Sequence, residues 1–389
     1  MAMHYQGFNV QVFEKVHKFG RLGDSLGLGE NALRLLQRWG LHDRLIEIGN
    51  KSEMMQIRWW KDGKILAQQP LMDMAGYIGH RGDYHEEFLK RVRELGIEIR
   101  MGSNVVSYDE NESCLTLSTG EIHKADIIVA ADGIKSTARE LVLGFEGKPK
   151  SSGHACFRAY FKGTYLKEDP LCREFVEKEY VNIWIGNDVH LVQNTLRDGD
   201  KFNWILKHKD TKDIKESYDM DDVRRIVRDC DPGIAAAVKT MKGCLDWNIC
   251  YRDPIPFCSF GDFCHPHLLT SAQGASQATE SAAVLALCLK LAGKENVALA
   301  TRVYEKLRFA RVRGSQRNGE DVRDRWYNAL KNLDDYMEIN PDDVKIKNRW
   351  LYPFDAEADT LQRWAEVAAL VTKELEAGEI TPLFAGTSV

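Results

Sequence analysis

The chain has 389 residues, 44% hydrophobic and 29% charged, with a net charge of −5. This balance excludes a disordered or fibrous chain, and the absence of a basic excess argues against nucleic acid as a partner. The nine cysteines show neither C-x-x-C nor zinc spacing, and the start shows no secretory signal, which predicts a cytoplasmic protein with reduced thiols and no metal site. No apolar run approaches the roughly 20 residues of a bilayer span, so we expect no membrane span.

The N-terminal part of the chain predicts a parallel α/β arrangement. The stretch "GFNVQVFEK" alternates as a strand that ends at Glu14, and "NALRLLQRWG" is an amphipathic helix that stops at Gly40. The pair Asp62-Gly63 predicts a hairpin turn between residues 54 and 67. A helix follows "HRGD", and the apolar run "DIIVAADG" predicts a strand buried on both faces of a parallel sheet.

The pattern changes beyond residue 148. Short alternating stretches such as "ACFRAYFKG" and "YVNIWIG" predict a separate antiparallel sheet, and helices return from residue 265 to 329. The simplest organisation is a cofactor layer with an inserted substrate roof. We therefore predict a first cofactor-binding region, a substrate sheet, a second cofactor-binding region and a helical tail at residues 1–148, 149–256, 257–330 and 331–389.

Two acids after predicted strands are candidates for binding a dinucleotide. Glu14 could accept hydrogen bonds from ribose hydroxyls, as an acid at the end of a second strand does in dinucleotide-binding folds; the alternative is a solvated glutamate. Asp132 precedes Gly133, which permits a tight turn, and Ser136 could cap the next helix. The alternative there is an ordinary strand–turn–helix junction.

The stretch "GDFCHPHLLTSAQGAS" is the densest candidate site. Asp262 can accept from a ribityl or ribose hydroxyl, and His265 with the following proline fixes a turn. Residues 272–276 supply N–H donors at a helix N-terminus, where the dipole favours phosphate or a developing negative charge. The alternative is a helix cap with an incidental histidine.

The stretch "GLGENA" from Gly27 to Ala32 formally fits G-x-G-x-x-A. It does not directly follow an apolar strand, so it predicts a loop near the cofactor rather than the pyrophosphate turn.

Taken in order, these motifs resemble the FAD-dependent aromatic hydroxylases, the group A flavoprotein monooxygenases that include salicylate hydroxylase. The resemblance spans about residues 7 to 355 and rests on "NALRLLQRWGL", "HRGDYHEEFL", "DIIVAADGIKSTAR", "CFRAY", "GDFCHPHLLTSAQGASQATESAAVLA" and "YEKLRFARV". It implies a Rossmann-like α/β FAD-binding domain of the glutathione reductase and p-hydroxybenzoate hydroxylase type. A mostly antiparallel substrate sheet is inserted in that domain, and helices follow at the C-terminus.

The resemblance also implies roles for single residues. Arg158 in "CFRAY" matches a substrate-orienting or catalytic arginine, and a planar bidentate donor suits a phenolate or carboxylate. The residues implied to bind FAD are Glu14 at the adenosine ribose, Gly27 by its backbone, Arg81 near the phosphates, Asp132, Asp262 at the ribityl or pyrophosphate region, and Gly274 and Ala275 at the isoalloxazine edge.

The implied activity is that of an oxidoreductase, an FAD-dependent monooxygenase. It would use NAD(P)H and O₂ to hydroxylate a small aromatic, salicylate-like or a phenolic natural product of secondary metabolism, through a C4a-hydroperoxyflavin. A flavin dehydrogenase or oxidase that needs no NAD(P)H is a further alternative.

The sequence departs from the family pattern in several places, including a shortened strand before Asp262 and Ser281 in place of a usual aspartate. No strand with G-x-G-x-x-G precedes Glu14, and we expect weakened FAD binding from that loss. Asn194-Thr195 replaces a usual Tyr-Pro pair, which removes a phenolic partner for Arg158. These departures keep open a catalytically silent, flavoprotein-like module that binds a ligand or partner.

Overall fold

The computed structural model describes residues 1–20, 24–71, 77–136, 138–145, 147–196, 199–210, 220–252, 266–334 and 338–379. Within these ranges the strands are β1 Gln11–Glu14, β2 Ser25–Leu28, β3 Asn50–Lys51, β4 Met54–Trp59, β5 Ile65–Pro70, β6 Tyr77–His80, β7 Glu98–Met101, β8 Val105–Asp109, β9 Cys114–Leu117, β10 Ile122–Lys124, β11 Lys150–Lys162, β12 Tyr180–Gly186, β13 Val189–Leu196, β14 Lys201–Lys209 and β15 Leu245–Tyr251.

The α-helices alternate with these strands at first and then dominate the C-terminal third. They are α1 Ala2–Tyr5, α2 Glu30–Arg38, α3 His42–Ile48, α4 Arg81–Glu94, α5 Ala138–Leu143, α6 Glu174–Glu177, α7 Met220–Ile226, α8 Pro232–Lys239, α9 Gly274–Ala292, α10 Val297–Asp334, α11 Pro341–Val344 and α12 Ala356–Ala377. The predicted helix stop at Gly40 is confirmed, since this residue has φ +74° just after α2.

A seven-stranded sheet dominates the structure, in the order β15-β11-β14-β13-β12-β4-β5. Its neighbours are antiparallel except for the parallel pair β12 and β4. The predicted antiparallel sheet is therefore confirmed, and the predicted hairpin at Asp62-Gly63 joins it as β4 and β5. The domain boundaries at residues 148 and 256 stay a prediction.

The two faces of this large sheet carry different residues because side chains alternate along a strand. One face buries Phe157, Trp184 and Trp204 against α7 and α8. On the other face, the half formed by β4, β5 and β12 packs against Val322 and Trp326 of α10. This core also reaches Val192 and Leu196 of β13 and Tyr160 of β11, whereas Ile205 and Lys207 of β14 stay partly exposed.

A buried charge network joins the C-terminal helices around α9. Glu280 is fully buried and pairs with Arg308 and with Arg311, whose Nη2 lies 2.7 Å from a Glu280 carboxylate oxygen. Asn31 of α2 also donates to Glu280. The Arg311 guanidinium lies 3.7 Å from the ring centroid of Phe354. This network connects α2, α9 and α10 to the segment that precedes α12.

The predicted strand "DIIVAADG" is wrong. Residues 126–132 have no strand assignment, and Val129 is 37% exposed. The parallel sheet among the described residues consists of β1 and β7 alone. A strand needs a hydrogen-bonded neighbour, and none of the described strands pairs with this segment. An apolar run alone therefore did not suffice.

Candidate functional site

The predicted catalytic residue Arg158 lies at the joint between the large sheet and the N-terminal region. Its Nη1 lies 2.7 Å from Oδ2 of Asp24, which directly precedes β2. Its guanidinium also lies 4.7 Å from the ring centroid of Trp247 on β15. Burial raises the pKa of Asp24, and the opposing attraction of Arg158 does not cancel this effect. The arginine is thus held by an acid on one side and an indole on the other.

A cluster of polar side chains clamps β2 to the same sheet. The backbone N–H of Ser25 donates to Oδ1 of Asn203 at 3.0 Å, and the Ser25 hydroxyl donates to Oδ1 of Asn194 at 3.0 Å. Asn203 Nδ2 donates back to Ser25 Oγ at 2.9 Å. Asn194, which replaces a tyrosine of the family pattern, therefore joins the roof to the N-terminal region. These contacts and Asp24 were missed from the sequence; the one signal was asparagine inside otherwise apolar strands.

The half of the large sheet around β13, β14 and β11 presents a mixed apolar and cationic surface. Arg158 pairs across the strands with Ile205, which in turn pairs with Val192, so the three share one row of the face. The next row contains Cys156, Lys207 and His190. We call these six residues the roof face; all but the buried Cys156 are partly exposed.

Two predicted FAD-binding residues surround a common neighbour. Glu14 ends β1 and accepts from the backbone N–H of Val16 at 3.1 Å, whereas Arg81 is the exposed first residue of α4. Desolvation lowers the pKa of His85, Arg81 lowers it further, and Glu14 opposes both. His85 and the ring of Phe19 lie 4.4 Å apart. The structure thus brings Glu14 and Arg81 into one electrostatic neighbourhood.

Arg81 is also connected to Asp24, the partner of Arg158. Its backbone N–H donates to the carbonyl of Asp24 at 2.9 Å. Its side chain has no hydrogen bond or ion pair within the described ranges, so it can receive an anion such as phosphate.

The start of α9 lies beside the segment that contains Gly27. The backbone N–H of Gly29 donates to Ser276 Oγ at 3.0 Å, two residues after Gly274. A Cβ built on Gly274 or Gly27 meets its nearest atom only at 3.9 or 4.0 Å. Gly27 lies on β2, so the predicted loop is wrong at this position. These open backbones fit the close approach of a flat cofactor.

Asp132 belongs to a separate neighbourhood. It is exposed, and its charge acts to raise the pKa values of Tyr108 and Arg252. The charges that act on the pKa of His85 are instead those of Arg81 and Glu14. Gly133 has φ +74° and open space around a built Cβ, which fits the predicted tight turn. Ser136 Oγ is buried without a hydrogen-bond partner, so the predicted cap is wrong. Asp262 and His265 lie outside the described residues.

The part of the chain that the structure describes contains neither a metal-binding cluster nor a membrane-spanning helix. There, no three His, Cys, Asp or Glu side chains cluster in a way that could hold a metal ion. No helix in that part has the length and apolar character needed to cross a bilayer.

The chain is similar to a known protein family and to several named enzymes. The family model described as "FAD binding domain" matches residues 1–308. Asperlicin C monooxygenase of Petromyces alliaceus is 29% identical over 402 residues, which cover 95% of this chain and 85% of the relative. A 6-hydroxynicotinate 3-monooxygenase of Pseudomonas fluorescens is 30% identical over 334 residues, which cover 81% and 85%.

Solved structures agree with the sequence relatives. The crystal structure of CtdE in complex with FAD and a substrate has a TM-score of 0.84 at 26% identity and covers 95% of each chain. A salicylate hydroxylase substrate complex has a TM-score of 0.72 at 18% identity, covers 92% of this chain and 97% of that one, and shows the fold alone. The predicted fold class is confirmed.

Proposed function

The chain belongs to the FAD-binding group A flavoprotein monooxygenases, and from this premise we propose that it hydroxylates a small aromatic compound, salicylate-like or phenolic, with NAD(P)H and O₂. It is an FAD-dependent monooxygenase, as its named relatives are, which argues against the alternative of a catalytically silent module.

The proposed cofactor site is built from the residues around β1, β2 and α9. Glu14, Arg81 and the backbones of Gly27, Gly274 and Ala275 would hold FAD, with Asp132 and Asp262 as further predicted contacts. The cofactor, when bound and reduced, supplies the chemistry that activates oxygen. The task left to the protein is to place a ring, to stabilise its charge and to exclude water.

The observation that carries the proposal is the position of Arg158. It lies on the roof face with one nitrogen held by Asp24 and its plane beside Trp247. A guanidinium fixed in this way offers its remaining N–H groups to an oxygen on an aromatic ring. Such a donor would orient the ring and favour its phenolate form, which is the more electron-rich form for oxygen transfer.

Replacing Arg158 tests this role directly. In Arg158→Ala we expect normal flavin content, read from absorbance near ~450 nm, and loss of about 100-fold in aromatic-stimulated NAD(P)H oxidation, as for removal of one transition-state donor. Arg224→Ala, which breaks an exposed pair on α7, is the matched control. Equal loss of flavin and activity in Arg158→Ala would count against a role in handling the substrate.

A further inference from the structure

The second row of the roof face places a lysine close to Arg158. Lys207 on β14 pairs with Cys156 of β11, and Arg158 pairs with Ile205. Arg158 and Lys207 are therefore diagonal neighbours on adjacent strands, with Cα atoms about 7–8 Å apart. Cys156 lies between them, and the electrostatic field of both cations reaches its thiol. Two cations thus face the same side of the sheet.

Within the described part of the chain, Lys207 differs from Arg158 and Lys201 in having no counter-charge. Arg158 is paired with Asp24, and Lys201 on the same strand lies 3.2 Å from Asp200. Among the described residues Lys207 has neither an ion pair nor a hydrogen bond. Its nearest acid influence is Asp188, an exposed side chain that lies 3.9 Å from His154 instead.

This arrangement is unfavourable unless a ligand completes it. Lys207 is half-buried, and burial lowers the pKa of its ammonium group. An ammonium removed from water without an anionic partner loses hydration, and none of the described residues replaces it at Lys207. A bound anion would restore the lost interaction.

The surroundings of Lys207 define the shape of that anion. Ile205 is an apolar, partly exposed neighbour of both cations, because it pairs with Arg158 and lies two residues from Lys207 on β14. His190, next to Lys207, has its ring 5.3 Å from that of Trp326, and burial lowers its pKa to about 3. At neutral pH His190 is therefore an uncharged hydrogen-bonding group. An apolar ring with an anionic substituent at one end matches this surface.

We propose that Lys207 is a specificity-determining residue that binds the carboxylate of an aromatic acid whose ring lies over Ile205. The opposite edge of that ring then faces Arg158. This inference rests on the proposed function and, of its two substrate classes, selects salicylate-like aromatic carboxylates over phenols that lack a carboxylate.

The test compares salicylate with its neutral amide, salicylamide, on the holoenzyme. Binding is read from perturbation of the flavin spectrum and, independently, from the rise in Tm that a ligand of the native state produces. We expect the wild type to bind salicylate at least about tenfold more tightly than salicylamide, since a charge-assisted hydrogen bond contributes that much or more. In Lys207→Met this preference should disappear, and in Lys207→Arg it should largely return.

The control is Lys239→Met, an exposed lysine at the end of α8 on the other side of the sheet, which should keep the preference. Lys207→Met loses no ion pair, so its unliganded Tm should equal or exceed that of the wild type. Equal affinities for the two ligands in the wild type, no binding of salicylate, or an intact preference in Lys207→Met would each overturn the inference. Failure of the proposed function looks different: no aromatic compound would stimulate NAD(P)H oxidation by the wild type.

Discussion

The strands of the seven-stranded roof sheet and residues 126–132 of the cofactor side were both predicted from apolar patterns, but only the roof segments form strands. In the roof, each inner strand has hydrogen-bonded neighbours on both sides. Residues 126–132 are apolar between Asp126 and Asp132 but do not form a strand. The comparison teaches that a hydrophobic run forms a strand only where the fold supplies a neighbouring strand. The cofactor side is stabilised more by contacts between helices and by ion pairs.

The largest contrast should come from apolar side chains in the two regions. Trp204→Ala removes a fully buried indole from the roof core and should cost about 3–5 kcal/mol in the free energy of unfolding. Val129→Ala, in the partly exposed apolar segment, should change it by less than about 0.5 kcal/mol. Urea unfolding of both variants measures the difference. Comparable losses would mean that residues 126–132 are packed as tightly as a core strand.

The next effect tests whether ions hold the helices of the cofactor side. Glu280→Gln leaves Arg308 and Arg311 without their buried carboxylate and should cost about 3–5 kcal/mol at neutral pH. Glu357→Gln, which breaks a pair with the more exposed Arg38, is the control and should cost well under about 1 kcal/mol. A loss of unfolding free energy in Glu280→Gln as small as in the control would show that packing alone stabilises α9.

The same carboxylate predicts a pH dependence. Burial raises the pKa of Glu280, but the attraction of Arg308 and the hydrogen bond from Arg311 outweigh it, so the pKa lies below its usual 4.5. Its stabilising contribution is present above that value and is lost as the pH falls through the lowered pKa. The stability gap between wild type and Glu280→Gln should therefore narrow in acid.

The smallest effect concerns the joint between the two regions. Asn203→Ala leaves the buried end of the Ser25 clamp without its partner and should cost about 1–3 kcal/mol. It should also loosen Asp24 and so raise the KM for an aromatic substrate while leaving flavin content intact. Asn296→Ala, which affects only an exposed hydrogen bond at the end of α9, is the control. An unchanged KM would show that the clamp does not position Asp24.

Local patterns predicted the roof well because the burial of each strand is visible in its own alternation of apolar and polar residues. Phe202, Trp204 and Leu206 alternate with polar or half-buried residues, and this period of two requires no knowledge of the rest of the chain. The hairpin at Asp62-Gly63 and the helix stop at Gly40 were predictable for the same reason, since their turn residues lie in sequence next to the feature that they cause.

The candidate site was predicted only in part, because its contacts join distant positions. Arg158 was found by resemblance, but its partner Asp24 lies 134 residues away and no spacing rule connects them. Likewise, the lack of a counter-charge at Lys207 appears only when three strands are placed side by side. The assignments of Asp132 and Asp262 as FAD ligands stay predictions.

Helix α10 has 38 residues, a length of about 57 Å, and contacts both halves of the molecule. Arg308 near its beginning belongs to the charge network around α9, and Trp326 near its end lies against His190 of the roof face. Such a rod acts as a lever. A tilt of about 3° at one end would shift the other by about 3 Å over that length, so a movement in the charge network around α9 would also displace Trp326 beside His190.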